Sequence, residues 1–499
     1  MIASLRFRGL RAGSLTSVLS AVVTAVVLFA LFKLFIGLTS TAAIGCWSLI
    51  QGMFLFSRIP DVGVGTNFTR MMALNLKGHF SVSAQHMILA GLLLSTIPVL
   101  CIGVALLAPV YSYVAEKSAP AISRHDVLYL TVSAFAVAVL SSSSTICLSV
   151  IEGAGKIAHR NIVTIGSNVL GLAVAYPLVS TFGIPGIGFT SIVQSSLLLL
   201  FAVYAISAES RLLKQHGSGI KLSAVVAMVW TDNIRMSAIG LLRLSFEPTT
   251  KLLLSRFASL DNVALFELAL RVTTQARLTY QAGIAPLLSF GSRSKSEPLT
   301  PKVAEAFSVA NHLVSMVALA ASAVQLVAAP FLSLAGFGRV EPDFILYFEV
   351  LVLANCLNSF GIAGYYLQVS GGHLPGLVRI HFLMAIINVS CGIALGSALG
   401  ATGPVLAYGL AFSFGGLSCA FLLYRTLSFN KTIRLDLIVL LALIACVVSA
   451  IFASYAVLLF AKGSLVFFAI SAVILLFNGA LFGFVIWREI VVKLRDSNL

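Results

Sequence analysis

Charge is what this chain most lacks. Only 10% of its 499 residues are charged, against about 25% in an ordinary soluble protein. That deficit excludes a solvated globular domain, and no loop outside the apolar runs exceeds about 20 residues, the length of one membrane crossing. Strict apolar/polar alternation is also missing, which excludes a transmembrane barrel. The seven cysteines (46, 101, 147, 356, 391, 419 and 446) form no CxxC and no Cys/His cluster near the loops. They read as small buried hydrophobes, so neither a metal nor a cofactor is expected. GxSxG, HExxH and phosphate-loop motifs are absent as well, and GAGK at 153–156 is too short to cradle a phosphate.

What is present is apolar sequence, 59% of the chain, in runs long enough to cross a hydrocarbon core of roughly 30 Å as helices. Fourteen spans are expected, near 15–37, 41–66, 84–111, 126–151, 160–181, 185–208, 230–257, 262–290, 304–336, 343–370, 376–399, 402–427, 435–460 and 463–487. The basic start MIASLRFRGLRAG leads into a run too long for a signal peptide and reads as an uncleaved first span.

The net charge of +15 would suggest nucleic acid in a soluble protein. Its placement points elsewhere. Twenty basic residues fall in the N-terminus, the C-terminus and every second loop, and five in the alternate loops. The positive-inside rule then places both termini in the cytoplasm, consistent with an even number of spans, and no nucleic-acid partner is expected.

An internal repeat is visible. IEGAGKIAHR (151–160) resembles VSGGHLPGLVR (369–379), and each is followed by an apolar span, a GIPG (183–186) or GATG (400–403) turn and a second span. The fifth and sixth spans thus echo the eleventh and twelfth, and six-helix units with an even span number run parallel. The expected organisation is all-α and polytopic: a six-helix lobe at 1–208, a cytoplasmic linker at 209–229, a second six-helix lobe at 230–427, and two further helices with a cytoplasmic tail at 428–499.

Seven basic residues lie within spans: Lys33, Arg58, Arg235, Arg243, Lys251, Arg271 and Arg277. Each costs at least about 2.5 kcal/mol at mid-membrane, so partners or a wet cavity are implied. All come from spans one, two, seven and eight. Arg243, Glu247 and Lys251 are spaced four apart on one stripe, Glu267 and Arg271 are also four apart, and Arg58 and Asp61 are three apart. Local pairing of Arg58 with Asp61, Arg243 with Glu247, and Glu267 with Arg271 would make structural ion pairs, leaving Lys33, Lys251 and Arg277 without an acidic mate at helical spacing. Lys33 can also snorkel to an interface. Pro248 is expected to kink the seventh span, and Pro60, Gly63 and Gly65 to loosen the end of the second. SSSS at 141–144 reads as small-residue helix packing.

The run AAIGCWSLIQGMFLFSRIPDVGVGTNFTRMMA resembles the second helix of bacterial polysaccharide exporters, the O-antigen flippases of the multidrug/oligosaccharidyl-lipid/polysaccharide (MOP) superfamily. Trp47, Asp61, Gly63, Gly65 and Arg70 match its pattern, while Cys46 and Pro60 depart from it. The block 261–293, with Ala264, Glu267, Arg271, Gln275 and Pro286, resembles their eighth helix. The resemblance implies a flippase in the bacterial inner membrane for a polyprenyl-pyrophosphate-linked oligosaccharide, the repeat unit of O-antigen, capsule or exopolysaccharide. A polymerase and a chain-length regulator would be partners, with Na⁺ or H⁺ as candidate coupling ions. Lys33, Arg58, Arg243, Lys251, Arg271 and Arg277 would then meet the pyrophosphate in a central cavity, and Asp61, Glu247 and Glu267 would serve structure or coupling. The rivals are a Na⁺- or H⁺-coupled drug or metabolite antiporter of the same superfamily (MATE-type), for which buried acids should dominate, and a membrane polysaccharide polymerase or ligase, for which a large outer loop is missing.

Overall fold

The computed structural model describes residues 2–76, 82–119, 121–208, 222–227, 240–242, 244–284, 301–370, 374–427 and 448. Helix is the only regular structure among them. The helices are α1 (Ile2–Leu38), α2 (Thr41–Phe54), α3 (Ile59–Leu76), α4 (Ala84–Ser118), α5 (Arg124–Gly153), α6 (Ile157–Phe182), α7 (Pro185–Ala208), α8 (Phe246–Phe257), α9 (Leu260–Ile284), α10 (Pro301–Phe337), α11 (Pro342–Ser359), α12 (Ile362–Ser370), α13 (Leu374–Leu399) and α14 (Thr402–Leu427). The linker segment 209–221 and the last two expected spans lie outside the described residues.

Eight of these helices are long and apolar enough to cross a membrane, and α11 with α12 makes a ninth span bent by 46°. Large apolar side chains stay exposed along them, as at Val26, Ile162, Leu200 and Phe421, because hydrocarbon rather than water is their solvent. The protein is an all-α, multi-pass membrane protein. Helices α2, α3, α8 and α9 are not among the nine spans, and it is these that carry most of the intramembrane charge.

Serine starts several helices. Ser40, Ser83 and Ser123 accept the amide hydrogens of Ala43, His86 and Asp126 at 3.1, 3.2 and 3.1 Å, capping donors that a helix leaves orphaned. The second span departs from expectation. It does not end at residue 66 but narrows to a 3-10 turn over Leu55–Arg58 and continues as α3 to Leu76. Pro60 explains the turn, since a proline has no N–H to donate to the carbonyl four residues back. Pro248 acts in the same way on the seventh span: helical residues stop at a turn at Ser245, and α8 restarts with the proline in its first turn.

The chain divides into two compact units, residues 1–268 with 388–404, and residues 269–387 with 405–499. In the first, Phe68, Met72, Met87, Ile146 and Val150 form a core among α3, α4 and α5. Polar ladders join the same unit. Ser142 and Ser143 of α5 meet Ser95 and Thr96 of α4 at 2.5 and 3.2 Å, which is the small-residue packing expected of the serine run. Asn161 and Asn168 of α6 donate to Thr16, Ser17 and Thr24 of α1. In the second unit, Val303, Phe307, Ala363, Leu367 and Leu423 pack together.

The two repeated turns share one geometry. Gly183 and Gly400 take φ of 63° and 60° and close their helices by donating to Val179 and Gly396. Gly186 and Gly403 then donate to them in turn at 3.0 and 3.2 Å. Only glycine adopts such φ values without strain. Cys46, Cys147, Cys356 and Cys419 are buried as expected, whereas Cys101 faces outward from α4 and Cys391 is half-buried. Position on an apolar helix did not decide which face each takes.

Candidate functional site

Lys251 lies on α8 with its side chain fully buried, 0% exposed. Its ammonium sits 2.5 Å from Glu247 one turn earlier and 2.7 Å from Glu267 of α9, and it donates to the Ser48 carbonyl of α2 at 3.4 Å. This overturns one expectation: Lys251 does not lack an acidic mate. Glu247 has basic residues four positions away on either side, so spacing alone left its partner open, and the Glu267 contact joins two helices and has no sequence signature. Arg243 itself lies outside the described residues.

A fully buried ammonium is tolerable only with counter-charge and hydrogen bonds at hand. Here two carboxylates surround it. The most exposed member of the group is Glu247, at 24%, against 9% for Glu267. The cluster therefore presents a carboxylate, not an ammonium, toward its surroundings.

The α2 face against this cluster is made of small residues. A Cβ on Gly45 would come within 1.8 Å of the Leu260 carbonyl oxygen, and one on Gly52 within 3.0 Å of Lys251 Cδ. Ser48 shares the stripe, being three residues after Gly45 and four before Gly52; it is 1% exposed, and its hydroxyl has no hydrogen-bond partner. Beside this group, the Tyr113 hydroxyl of α4 meets Ser255 of α8 at 2.9 Å. Asn388 of α13 holds α8 through Thr250 and the Phe246 carbonyl, each at 3.3 Å.

The second unit contains a separate polar centre. Arg277 of α9 donates to Asn358 Oδ1 at 3.4 Å, and its guanidinium lies 4.8 Å from the Phe412 ring centroid. Asn358 Nδ2 donates in turn to the Phe412 carbonyl at 2.9 Å, and Tyr408 stacks on Phe412 at 5.7 Å. Asn358 lies in the last turn of α11, just before the bend into α12. There a Cβ on Gly361 would come within 2.1 Å of the Gly416 carbonyl oxygen, and one on Gly416 within 2.1 Å of Asn358 Cα. Neither Asn358 nor Phe412 was singled out in the sequence, although an asparagine in an apolar span is the kind of signal that could have pointed there.

The remaining expected residues are dispersed. Arg58 donates to Thr145 of α5 at 3.4 Å; the side chain of Asp61, its expected mate, lies outside the described residues. Arg271 is half-buried, and Lys33 is exposed near the end of α1, where its long stem suits an interfacial position.

No family model and no curated protein matches the sequence. Solved structures do match the fold. An inward-facing multidrug resistance MATE family transporter of the MOP superfamily superimposes with a TM-score of 0.67 at 15% identity, covering 83% of this chain and 96% of that one. The lipid II flippase MurJ, in an inward closed conformation, gives 0.64 at 12% identity over 96% of this chain and 99% of its own. A MOP superfamily transporter from Pyrococcus furiosus, characterised by reversed polarity of its binding pocket, gives 0.63 at 16% identity over 85% and 96%. The chain thus has the fold of MOP superfamily transporters and flippases.

Proposed function

We propose that the chain is a flippase that carries a polyprenyl-pyrophosphate-linked oligosaccharide across the bacterial inner membrane by alternating access, with both termini in the cytoplasm. The observation that carries the reading is the excess of basic over acidic residues more than three positions inside the ends of the spans, seven against Asp61, Glu247, Glu267 and Glu349. A pyrophosphate crossing a low-dielectric core meets a steep desolvation barrier, and fixed guanidinium groups lower it. In this reading Arg58, Arg243, Arg271 and Arg277 contact the anion along the path, Lys33 stands at its rim, and Lys251 contributes only when its carboxylates let go. Arg277 is suited to the role because a carboxamide and an aromatic face hold its planar fork in place.

Length favours the flippase over the antiporter. The MATE structure accounts for 83% of this chain and the lipid II flippase for 96%. Deletion of the gene tests the reading. The expected result is loss of surface glycan, with lipid-linked oligosaccharide accumulating at the cytoplasmic face. Unchanged glycan combined with new drug sensitivity would refute it in favour of the antiporter.

A further inference from the structure

We propose that the Glu247–Lys251–Glu267 cluster is the latch of a gate, holding helices α8 and α9 against the Gly45–Ser48–Gly52 stripe of α2, and that Lys251 acts by opening and closing this contact rather than as a standing substrate ligand. The geometry points to a device that parts. Backbone meets backbone at Gly45 and Leu260 with no side chain between them. At that point the two helices can part without repacking side chains. The only charge joining α2 to this group, among the contacts described, is the Lys251 ammonium on a backbone carbonyl at 3.4 Å, whereas its ion pairs with Glu247 and Glu267 are at 2.5 and 2.7 Å. The ammonium therefore keeps its counter-charges on α8 and α9 while releasing α2, which avoids stranding a bare charge in the membrane.

Two further observations fit a parting surface. Ser48 has a buried hydroxyl without a hydrogen-bond partner, a cost that is relieved when the stripe meets water. The Tyr113–Ser255 hydrogen bond adds a weak tie between α4 and α8 that exchange with water offsets. Following the basic-residue count, the ends of α2, α8 and α9 concerned lie on the periplasmic side, so the latch would close that side of the path.

The proposal rests on the chain being a transporter, but its first test requires no knowledge of the cargo. With all seven native cysteines replaced, Ser48→Cys is alkylated in membranes with N-ethylmaleimide, which crosses the bilayer, and with a charged methanethiosulfonate, which does not. Both reagents are expected to label it slowly, and Lys251→Met with Glu267→Gln, by removing the ammonium that holds α2, to raise the rate about tenfold. Ser95→Cys, at the buried α4–α5 contact, is the control and stays unreactive. A second test keeps the cluster intact: Tyr113→Cys with Ser255→Cys, joined by a short cleavable cross-linker, arrests glycan export, and reduction restores it. Ser48→Cys unreactive to both reagents in both backgrounds, a rise matched at Ser95→Cys, or full export while cross-linked would each overturn the latch. If no glycan is exported at all, the flippase reading fails and the labelling alone decides.

Discussion

Replacing Lys251 by methionine isolates charge from shape. Methionine keeps an unbranched chain of similar length, so the contact with Gly52, where the lysine Cδ stands 3.0 Å from a would-be Cβ, is retained. What disappears is the ammonium between Glu247 and Glu267. Glu267 is 9% exposed, and removing one partner of a buried ion pair costs up to about 3–5 kcal/mol, less where the remaining carboxylate keeps other contacts, as both Glu247 and Glu267 do. Glu247, at 24% exposure, adds less because it is the less buried of the two. A loss of about 3 kcal/mol is a large part of a typical margin of 5–15 kcal/mol, so Lys251→Met is expected to lower membrane abundance and the melting temperature of the detergent-solubilised protein, followed by fluorescence-detected size exclusion. Adding Glu267→Gln removes the less compensated buried charge and should recover part of the loss, giving a favourable coupling of roughly 1–2 kcal/mol in the cycle. A Lys251→Met protein that melts with the native one, or a double variant worse than the sum of its parts, would refute this electrostatic account.

Cysteines placed at positions 77 and 295 in a cysteine-free chain should resist an impermeant thiol reagent added from the periplasm, and strong labelling there would sink the topology inferred from basic-residue counts. Arg277→Gln is expected to cut glycan export sharply at normal abundance while Arg277→Lys retains part of it, since lysine keeps the charge but not the fork held by Asn358; normal export by the glutamine variant would remove Arg277 from the path. Gly45→Ala should cost more than the roughly 1–3 kcal/mol of ordinary overpacking, because its Cβ would meet the backbone carbonyl of Leu260 rather than a movable side chain; native thermostability would contradict the close approach. If Arg58 and Asp61 act as a pair, Arg58→Ala with Asp61→Ala should lose less export than the two single losses combined, and additive losses would argue against pairing.

The architecture was legible because a membrane imposes a simple rule on sequence. Every backbone group must be satisfied within its own segment, so apolar runs of sufficient length mark helices, and helices α4 to α7, α10, α13 and α14 fall close to where hydropathy alone puts them. The misses share a cause. The 3-10 turn at Leu55–Arg58 and the 46° bend at residues 359–361 conserve hydropathy while changing direction. The first is signalled by Pro60. The second has no proline and depends on a glycine, Gly361, whose need is set by Gly416 more than fifty positions later in the chain.

The site was legible in its composition and illegible in its pairing. That charge gathers in spans one, two, seven and eight can be counted from the sequence, because each charge in an apolar run is conspicuous. Which acid meets which base is a different matter, since helical spacing ranks only partners on the same helix. Glu247 has basic residues at both −4 and +4, and the contacts of Lys251 with Glu267 and the Ser48 carbonyl come from α9 and α2, which helical spacing cannot rank. The consequence reaches the mechanism. A buried lysine read as unpaired suggests a waiting anion site, whereas the same lysine between two carboxylates is already satisfied, and an incoming anion would have to displace Glu247 or Glu267 to reach it. An arginine seated on a ring and a carboxamide, as Arg277 is, faces no competition from those neutral groups. For an anionic cargo, Arg277 is therefore the stronger candidate for direct contact and Lys251 the stronger candidate for control of access.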